Sequence, residues 1–408
     1  MNRLHLVPLP GAALAAAILV AACGGGGSSD NPIPTPAPGP KPSSGTLSLS
    51  ITDSPSCGYD KAFVTVERVR VHRSSSAGDS DAGWSEVVLA APQRVDLLSL
   101  NNGTLLPLGQ TELPAGTYTQ MRLVLSANTA ANPMANAVTP TGGVETALTT
   151  PSGQQSGLKM NVSLAVPAGQ VADFAIDFDA CKSFVKAGAS GKYMLKPVLA
   201  VIPILSPAGQ RIVGFIDASL ANAGTTVSAQ LAGAPVRSTP PDSTGRFVLY
   251  PVPAGTYDLV ITAGGRVNAV ITGVPVGALA STVVGSDAAR INTPISLASH
   301  LAWGTVTIDG KVADTGASVR ALQLLSAGPT IEVGYAAADA LAGGYGMALP
   351  AGAPARLAYA EGATTFAFVS DMPVAALYTL EASAPGFASK LVSIPLTGDV
   401  TTDFSFLP

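Results

Sequence analysis

Hydrophobic and polar positions alternate with a period of two along much of this chain. Leu47, Leu49 and Ile51 alternate with Thr46, Ser48 and Ser50, the pattern of a half-buried strand. Val64 and Val66 alternate, the phase slips at Glu67-Arg68, and alternation resumes at Val69 and Val71. One extra residue at that point predicts a β-bulge. Met121, Leu123 and Leu125 predict another strand; Leu158, Met160, Val162, Leu164 and Val166 predict a long one. Phe174, Ile176 and Phe178 alternate with Ala175, Asp177 and Asp179, and the segment from Lys196 to Ile202 closes the pattern before Pro203. No window carries a helical period of useful length. Alternation broken by regular turn signals predicts an all-β chain of sandwich domains.

A weak repeat runs through the same pattern. Leu113-Pro114-Ala115-Gly116-Thr117-Tyr118 recurs as Val252-Pro253-Ala254-Gly255-Thr256-Tyr257, and partly as Leu349-Pro350-Ala351-Gly352. Each Pro-Ala-Gly can make a tight turn in which glycine tolerates a positive φ. The repeat predicts related sandwich modules rather than a shared function.

The front of the chain reads differently. Arg3 gives a short positive region, and Ala12 to Val20 is an apolar run of nine residues. That is too short to span a bilayer, which needs about 20 residues, but it suits an export signal. The run Ala15-Ala16-Ala17-Ile18-Leu19-Val20-Ala21-Ala22-Cys23 resembles the lipobox of a bacterial lipoprotein, with Val20 where Leu is commoner. The resemblance implies cleavage before Cys23 and acylation of Cys23. Gly24 follows, where Asp would favour inner-membrane retention, so an outer-membrane lipoprotein facing the periplasm or the surface is expected. Residues 23–44 then form a linker, first Gly/Ser-rich and then Pro-rich, which would reach on the order of 50–60 Å if extended.

Composition narrows the partners. The chain has 408 residues and a net charge of −4, and loss of residues 1–22 removes Arg3 and no acid. An acidic balance argues against nucleic acid and anionic lipid as electrostatic partners. Charged residues are 12% of the chain, against about 25% in ordinary soluble domains. With Cys23 lipidated, Cys57 and Cys181 remain. Two free thiols would be unusual in an oxidising envelope, and neither lies in a C-x-x-C pair. A Cys57–Cys181 disulfide is expected, two separate buried thiols being the alternative.

Two family resemblances organise the rest. Residues 45–205 resemble the domain-of-unknown-function family 4382 of bacterial lipoproteins, through LSLSITDSPSCGYD (47–60), FVTVERVRVH (63–72), GQTELPAGTYTQMRLVL (109–125), PSGQQSGLKMNV (151–162), FAIDFDACKS (174–183) and GKYMLKPV (191–198). That resemblance implies no activity. Residues 206–299 resemble a carboxypeptidase-regulatory or transthyretin-like sandwich, through Gly245-Arg246-Phe247-Val248-Leu249 leading into Val252 to Leu259. In that family the module is non-catalytic. Residues 300–408 are expected to form a third sandwich, with Gly344-Tyr345-Gly346-Met347 leading to LPAG and 378–387 resembling that family's closing strand.

Catalytic chemistry is sparse. Beyond the signal the histidines are His72, expected in a loop, and His300, expected between domains. Gly188-Ala189-Ser190-Gly191-Lys192 lacks the first glycine of a phosphate loop, that position being Lys186, and Tyr193 replaces the Ser/Thr. Asp173, Asp177 and Asp179 are expected on one strand face. Like charges so placed must be solvated, paired with Lys182, Lys186, Lys192 or Lys196, or bridged, and calcium is the cation that accepts such carboxylates. No other cofactor is implied.

The leading expectation is therefore a non-catalytic, lipid-anchored envelope module that binds or spaces something, a glycan or an envelope protein. A structural subunit of an envelope assembly is the first alternative, and a hydrolase using the aspartates the second. Trp84 and Trp303, the only tryptophans, are the candidates for an aromatic platform.

Overall fold

Leu47, Leu49 and Ile51 of the strand Ser44–Asp53 point into the first core. That strand pairs antiparallel with Leu106–Pro114 and parallel with Val171–Phe178, and Leu199–Ile204 completes a four-stranded sheet. Facing it is an eight-stranded sheet with Tyr59–His72 in its interior. Val64, Val66, Val69 and Val71 of that strand fill the same core, with Met121 and Leu123 of Gly116–Leu125 and Leu158 and Leu164 of Leu158–Val166. Its pairing shifts between Val66 and Arg68 on both sides, so the predicted bulge lies where the phase slips. Pro203 sits inside Leu199–Ile204 and not beyond it, and the strand starts at Leu199 rather than Lys196. This strand is an edge strand, where a proline can turn its missing N–H away from the ladder.

The computed structural model describes residues 43–53, 58–150, 156–222, 224–312 and 315–407. The signal, Cys23, the linker up to Pro42 and Cys57 lie outside the described residues, and Ser44, expected to end the linker, opens the first strand.

A second sandwich sets a three-stranded sheet around Ile212–Phe215 against a sheet containing Ala234–Thr239, Thr226–Leu231, Gly255–Thr262 and Ala269–Val276. Ile212, Phe247, Leu259 and Ile271 fill its core. In the third, Ser299–Ile308 pairs with Gly344–Pro350 and faces a four-stranded sheet of Thr330–Ala337, Ser318–Leu324, Leu377–Ser383 and Lys390–Pro395. Val306, Val319, Leu380 and Phe406 lie between them. The α-helical content among the described residues is the single turn Ala180–Ser183.

The domains are more interlocked than beads on a string. Ala355–Ala358 pairs parallel with Ala269–Val276, and Val369–Ser370 pairs with Ala355–Ala358. Residues 355–370 thus leave the third segment and extend the second domain's sheet to six strands.

The sequence repeat has a physical meaning. The Tyr118 hydroxyl donates to the Pro114 carbonyl at 2.9 Å, and the Tyr257 hydroxyl to the Pro253 carbonyl at 2.8 Å. Each ring enters a core while its hydroxyl ties the strand back to the turn that starts it. At the third copy the Pro350 carbonyl accepts from Tyr378, at 2.6 Å, so another strand supplies the tyrosine. Only the first turn uses a positive φ at its glycine, 147° at Gly116.

Candidate binding cleft at the domain junction

The second and third domains cover one end of the first. Ser44–Asp53 begins half-buried, but every residue from Leu49 to Asp53 is buried. Arg237 of Ala234–Thr239 lies across that end. Its guanidinium pairs with Asp177 and donates to Thr52 Oγ1 at 2.6 Å and to the Asp53 carbonyl at 2.8 Å. The side chains are 1% exposed at Arg237 and 8% at Asp177. Beside them the Asp53 carboxyl is fully enclosed, and burial raises its pKa well above the usual carboxylate value. Its Oδ1 accepts the Ala180 N–H at 2.9 Å. A protonated Asp53 avoids the cost of burying a second negative charge beside Asp177.

Glu332 joins all three domains. Lys182 Nζ donates to Glu332 Oε1 at 3.1 Å and lies 3.8 Å from Asp179 Oδ2. Glu332 Oε2 lies 3.4 Å from Arg320, which pairs with Glu381 at 2.7 Å. The Glu332 backbone N–H donates to Gln230 Oε1 at 2.8 Å, and its carbonyl accepts from Gln230 Nε2 at 2.7 Å. Elsewhere on the same junction the Gly188 N–H donates to the Asp339 carboxylate at 2.8 Å.

These contacts frame a cleft of about 760 Å³, within the usual range of about 300–1,000 Å³ for ligand sites. The first domain lends Tyr59, Asp179 and Lys182, the second Ser228 and Gln230, and the third Trp303, Glu332 and Tyr335. Burial raises the Asp179 pKa from 3.8 to about 6, with Lys182 opposing and Asp177 adding to the rise. Burial works against the Lys182 ammonium, but Glu332 and Asp179 outweigh it and hold its pKa above the usual value. Burial pushes the Tyr59 phenol up to about 12.

The three aspartates do not form one cluster. Asp177 is taken by Arg237. Asp179 lies past the end of Val171–Phe178 and caps the following turn, its Oδ1 accepting the Lys182 N–H at 3.0 Å. Asp173 sits apart with a buried Oδ1 that has no hydrogen-bond partner. Among the described residues no three His, Cys, Asp or Glu side chains are grouped to hold a metal ion. Of the expected face, Asp177 is covered by the second domain, while Asp179 keeps one of the lysine partners expected for it, Lys182.

Cys181 lines the cleft, while its expected partner Cys57 lies outside the described residues. His72 is not in a loop but is the last residue of the strand Tyr59–His72, where its ring accepts the Ser74 N–H at 2.9 Å and meets the Ala82 carbonyl at 3.0 Å. His300 lies 3.9 Å from Asp399. Trp84 has the guanidiniums of Arg70 and Arg122 at 4.5 and 4.8 Å from its ring and donates to the Gly78 carbonyl at 3.0 Å. It is no platform. Trp303 is 45% exposed on the cleft wall.

Residues 44–197 match the domain of unknown function DUF4382. The DUF4382 domain is therefore the first sandwich, short of its last strand Leu199–Ile204. A search of curated proteins finds no match. Among solved structures, the Bacillus anthracis TIE protein is 12% identical, over 90% of this chain and 51% of that one, with a TM-score of 0.16. The chain thus spans about half the length of that protein. The minor pilin GBS52 of Streptococcus agalactiae is 10% identical over 49% of this chain and 95% of its own, TM-score 0.17. The major pilin SpaA of Corynebacterium diphtheriae is 10% identical over 89% of this chain and 99% of its own, TM-score 0.19. At such scores these likenesses bear no weight on function.

Glu332 and Tyr335, which complete the cleft around the DUF4382 domain, and Arg237, which docks the second domain, were not singled out by the sequence patterns. Glu332 did carry a signal: a lone acid between Ile331 and Val333 in an apolar strand. Such a residue needs a partner when both faces of its strand are covered.

Proposed function

We propose that this chain is an outer-membrane lipoprotein, held by acyl chains on Cys23, whose three sandwiches form a non-catalytic binding module with the junction cleft as its ligand site. The second and third sandwiches act in this reading as carboxypeptidase-regulatory-like modules, one walling the cleft and one spanning it. One observation carries the reading. The cleft has a wall from each of three domains, and Arg237 and Glu332 pin those walls together. A site fixed before ligand arrives avoids the ordering cost of binding.

A Cys57–Cys181 disulfide belongs to this proposal. Flanking residues already meet: Asp53 binds the Ala180 N–H, and the Tyr59 ring packs 5.7 Å from that of Phe184.

The test is photo-crosslinking in intact cells with the full chain. A crosslinking residue at Ala336, on the cleft wall, should capture a glycan or an envelope protein, while one at the exposed Val144 should not. Equal capture at both sites, or none at Ala336, overturns the reading. One observation favours a second reading, a hydrolase using the aspartates: Asp179, with its raised pKa, shares the cleft with Glu332. Lys182 stands between the two acids, where it neutralises rather than pairs them for acid–base exchange. A hydrolytic activity abolished by Asp179→Asn would favour the enzyme.

A further inference from the structure

Residues of Ser299–Ile308 alternate, with Ala302, Gly304 and Val306 buried and Leu301, Trp303 and Thr305 facing out. Across the ladder Trp303 pairs with Gly346, Thr305 with Gly344 and Leu301 with Ala348, and Thr401 lies on the other flank. Cross-strand neighbours usually cover an aromatic ring on a sheet face. Here those positions hold no side chain larger than threonine, so one face of the indole is left open to the cleft. A Cβ at Gly346 would meet the Trp303 Cβ at 3.6 Å and Leu301 Cδ1 at 3.7 Å, both ordinary contacts.

The charges of the cleft are already matched to one another. Asp179, Lys182, Glu332, Arg320 and Glu381 form one chain of pairs, and Asp339 is held by backbone N–H groups. Three acids meet two bases in that chain, and Lys186, which also lines the cleft, acts on Asp339, so no spare cation is left for an anionic ligand. What the cleft presents is an apolar plate and, elsewhere on its lining, hydroxyl-bearing side chains such as Thr226, Ser238 and Thr262. The complementary ligand has a flat apolar face and an uncharged polar rim. A pyranose ring has both: C–H bonds across one face and hydroxyls around the edge.

We propose that the cleft binds a neutral oligosaccharide, with one sugar ring stacked on Trp303. This rests on the reading of the cleft as a ligand site. The full-length protein, purified in a polyoxyethylene detergent so that no sugar headgroup competes, is titrated by calorimetry with three probes. Two are neutral, a glucose hexasaccharide and an N-acetylglucosamine hexasaccharide, and the third is a uronic-acid hexasaccharide. At least one neutral probe should bind, and the uronic probe should bind more weakly. Trp303→Ala should weaken neutral binding about ten-fold or more, the scale of one lost aromatic contact, with an unchanged melting temperature, and Trp303→Phe should retain most of it. No neutral binding at millimolar probe, tighter uronic binding, or an indifferent Trp303→Ala each overturns the proposal. The crosslink at Ala336 separates the two readings: protein captured there without sugar binding leaves the cleft a ligand site and removes only the saccharide.

Discussion

Arg70 and Arg122 hold Asp79 at 2.9 and 3.2 Å, and both guanidiniums lie against the Trp84 ring. Arg237 holds Asp177 at the other end of the molecule's chemistry, with Thr52 and the Asp53 carbonyl completing its hydrogen bonds. Both groups place arginine against aspartate on β-strands or their loops. They differ in what covers them. Asp79 is 49% exposed and belongs to the same domain as its arginines. Asp177 is 8% exposed, and its arginine arrives from another domain. The Asp79 carboxylate can turn to water at little cost, because its arginines, 15% and 7% exposed, keep other acceptors: Glu86 for Arg70 and the Ala77 and Ser156 carbonyls for Arg122. The buried pair cannot, because removing one member strands a charge away from water. Burial, more than partner identity, therefore sets what each group contributes, and here burial comes from domain docking.

Arg237→Ala gives the largest expected loss, about 3–5 kcal/mol, because Asp177 is left buried and unpaired. It should be read as a fall in the urea midpoint of the full chain. The double variant Arg237→Met with Asp177→Leu should recover most of that loss, since both charges go and apolar volume replaces them. A loss below about 1 kcal/mol for the single variant would place the buried pair with the surface pair and break the contrast.

Loss of the proposed disulfide should come next. Cys181→Ser is expected to cost about 2–4 kcal/mol, acting on the same covered end, where Ala180 binds Asp53. Non-reducing peptide mapping checks the bond first. If Cys57 and Cys181 both map as free thiols, docking alone holds that end.

Acidity separates the two regions again. The Asp179 pKa is raised from 3.8 to about 6 by burial. The folded state therefore holds a proton that the unfolded state releases, and its contribution is full below about 3.8 and lost as pH rises through about 6. The Asp53 carboxyl, also raised by burial, acts in the same direction. The covered end should tighten as pH falls from 7 toward 5, by about 1–3 kcal/mol, seen as slower amide exchange at the junction. Asp179→Asn should flatten the profile. An unchanged profile would show that Asp179 is already solvated.

How much of this was legible in the sequence follows from the same contrast. A strand's own alternation reports one core, so Leu47, Leu49, Ile51 and the bulge at Val66 to Arg68 were readable. The polar residues of the covered end were readable as polar and nothing more. Thr52, Asp53 and Asp177 look like solvent-facing positions until a second domain lies over them. The lysines near the aspartates in sequence suggested local neutralisers, and Lys182 does reach Asp179. The decisive partner, Arg237, lies 60 residues from Asp177, beyond any local pattern. The repeat was visible as turns, while its tyrosine-to-carbonyl bond required the fold, since the third copy draws Tyr378 from a distant strand. Strand exchange by residues 355–370 left no periodic trace, because a strand looks the same whichever sheet receives it.

The smallest effect should come from Asp79→Asn, at about 0–1 kcal/mol. The substitution keeps the shape and removes one charge that water already reaches. Its cost should vanish in about 1 M salt, where exposed charges are screened within about 3 Å, whereas the cost of Arg237→Ala should persist there. Trp84→Ala is the sharper probe of the exposed group. It removes two cation–π contacts, worth about 0.5–1 kcal/mol each at exposed sites, and uncovers the stems of Arg70 and Arg122. Its cost should exceed that of Asp79→Asn and survive salt, because the packing of the ring and not the carboxylate holds that corner. If Asp79→Asn instead costs as much as Arg237→Ala and is equally indifferent to salt, exposure is not what distinguishes the two arginine–aspartate groups, and the rigidity of the junction must come from its apolar contacts, Val185, Ala187 and Ala340 on one side and Val260, Val270, Leu325 and Ile331 on the other.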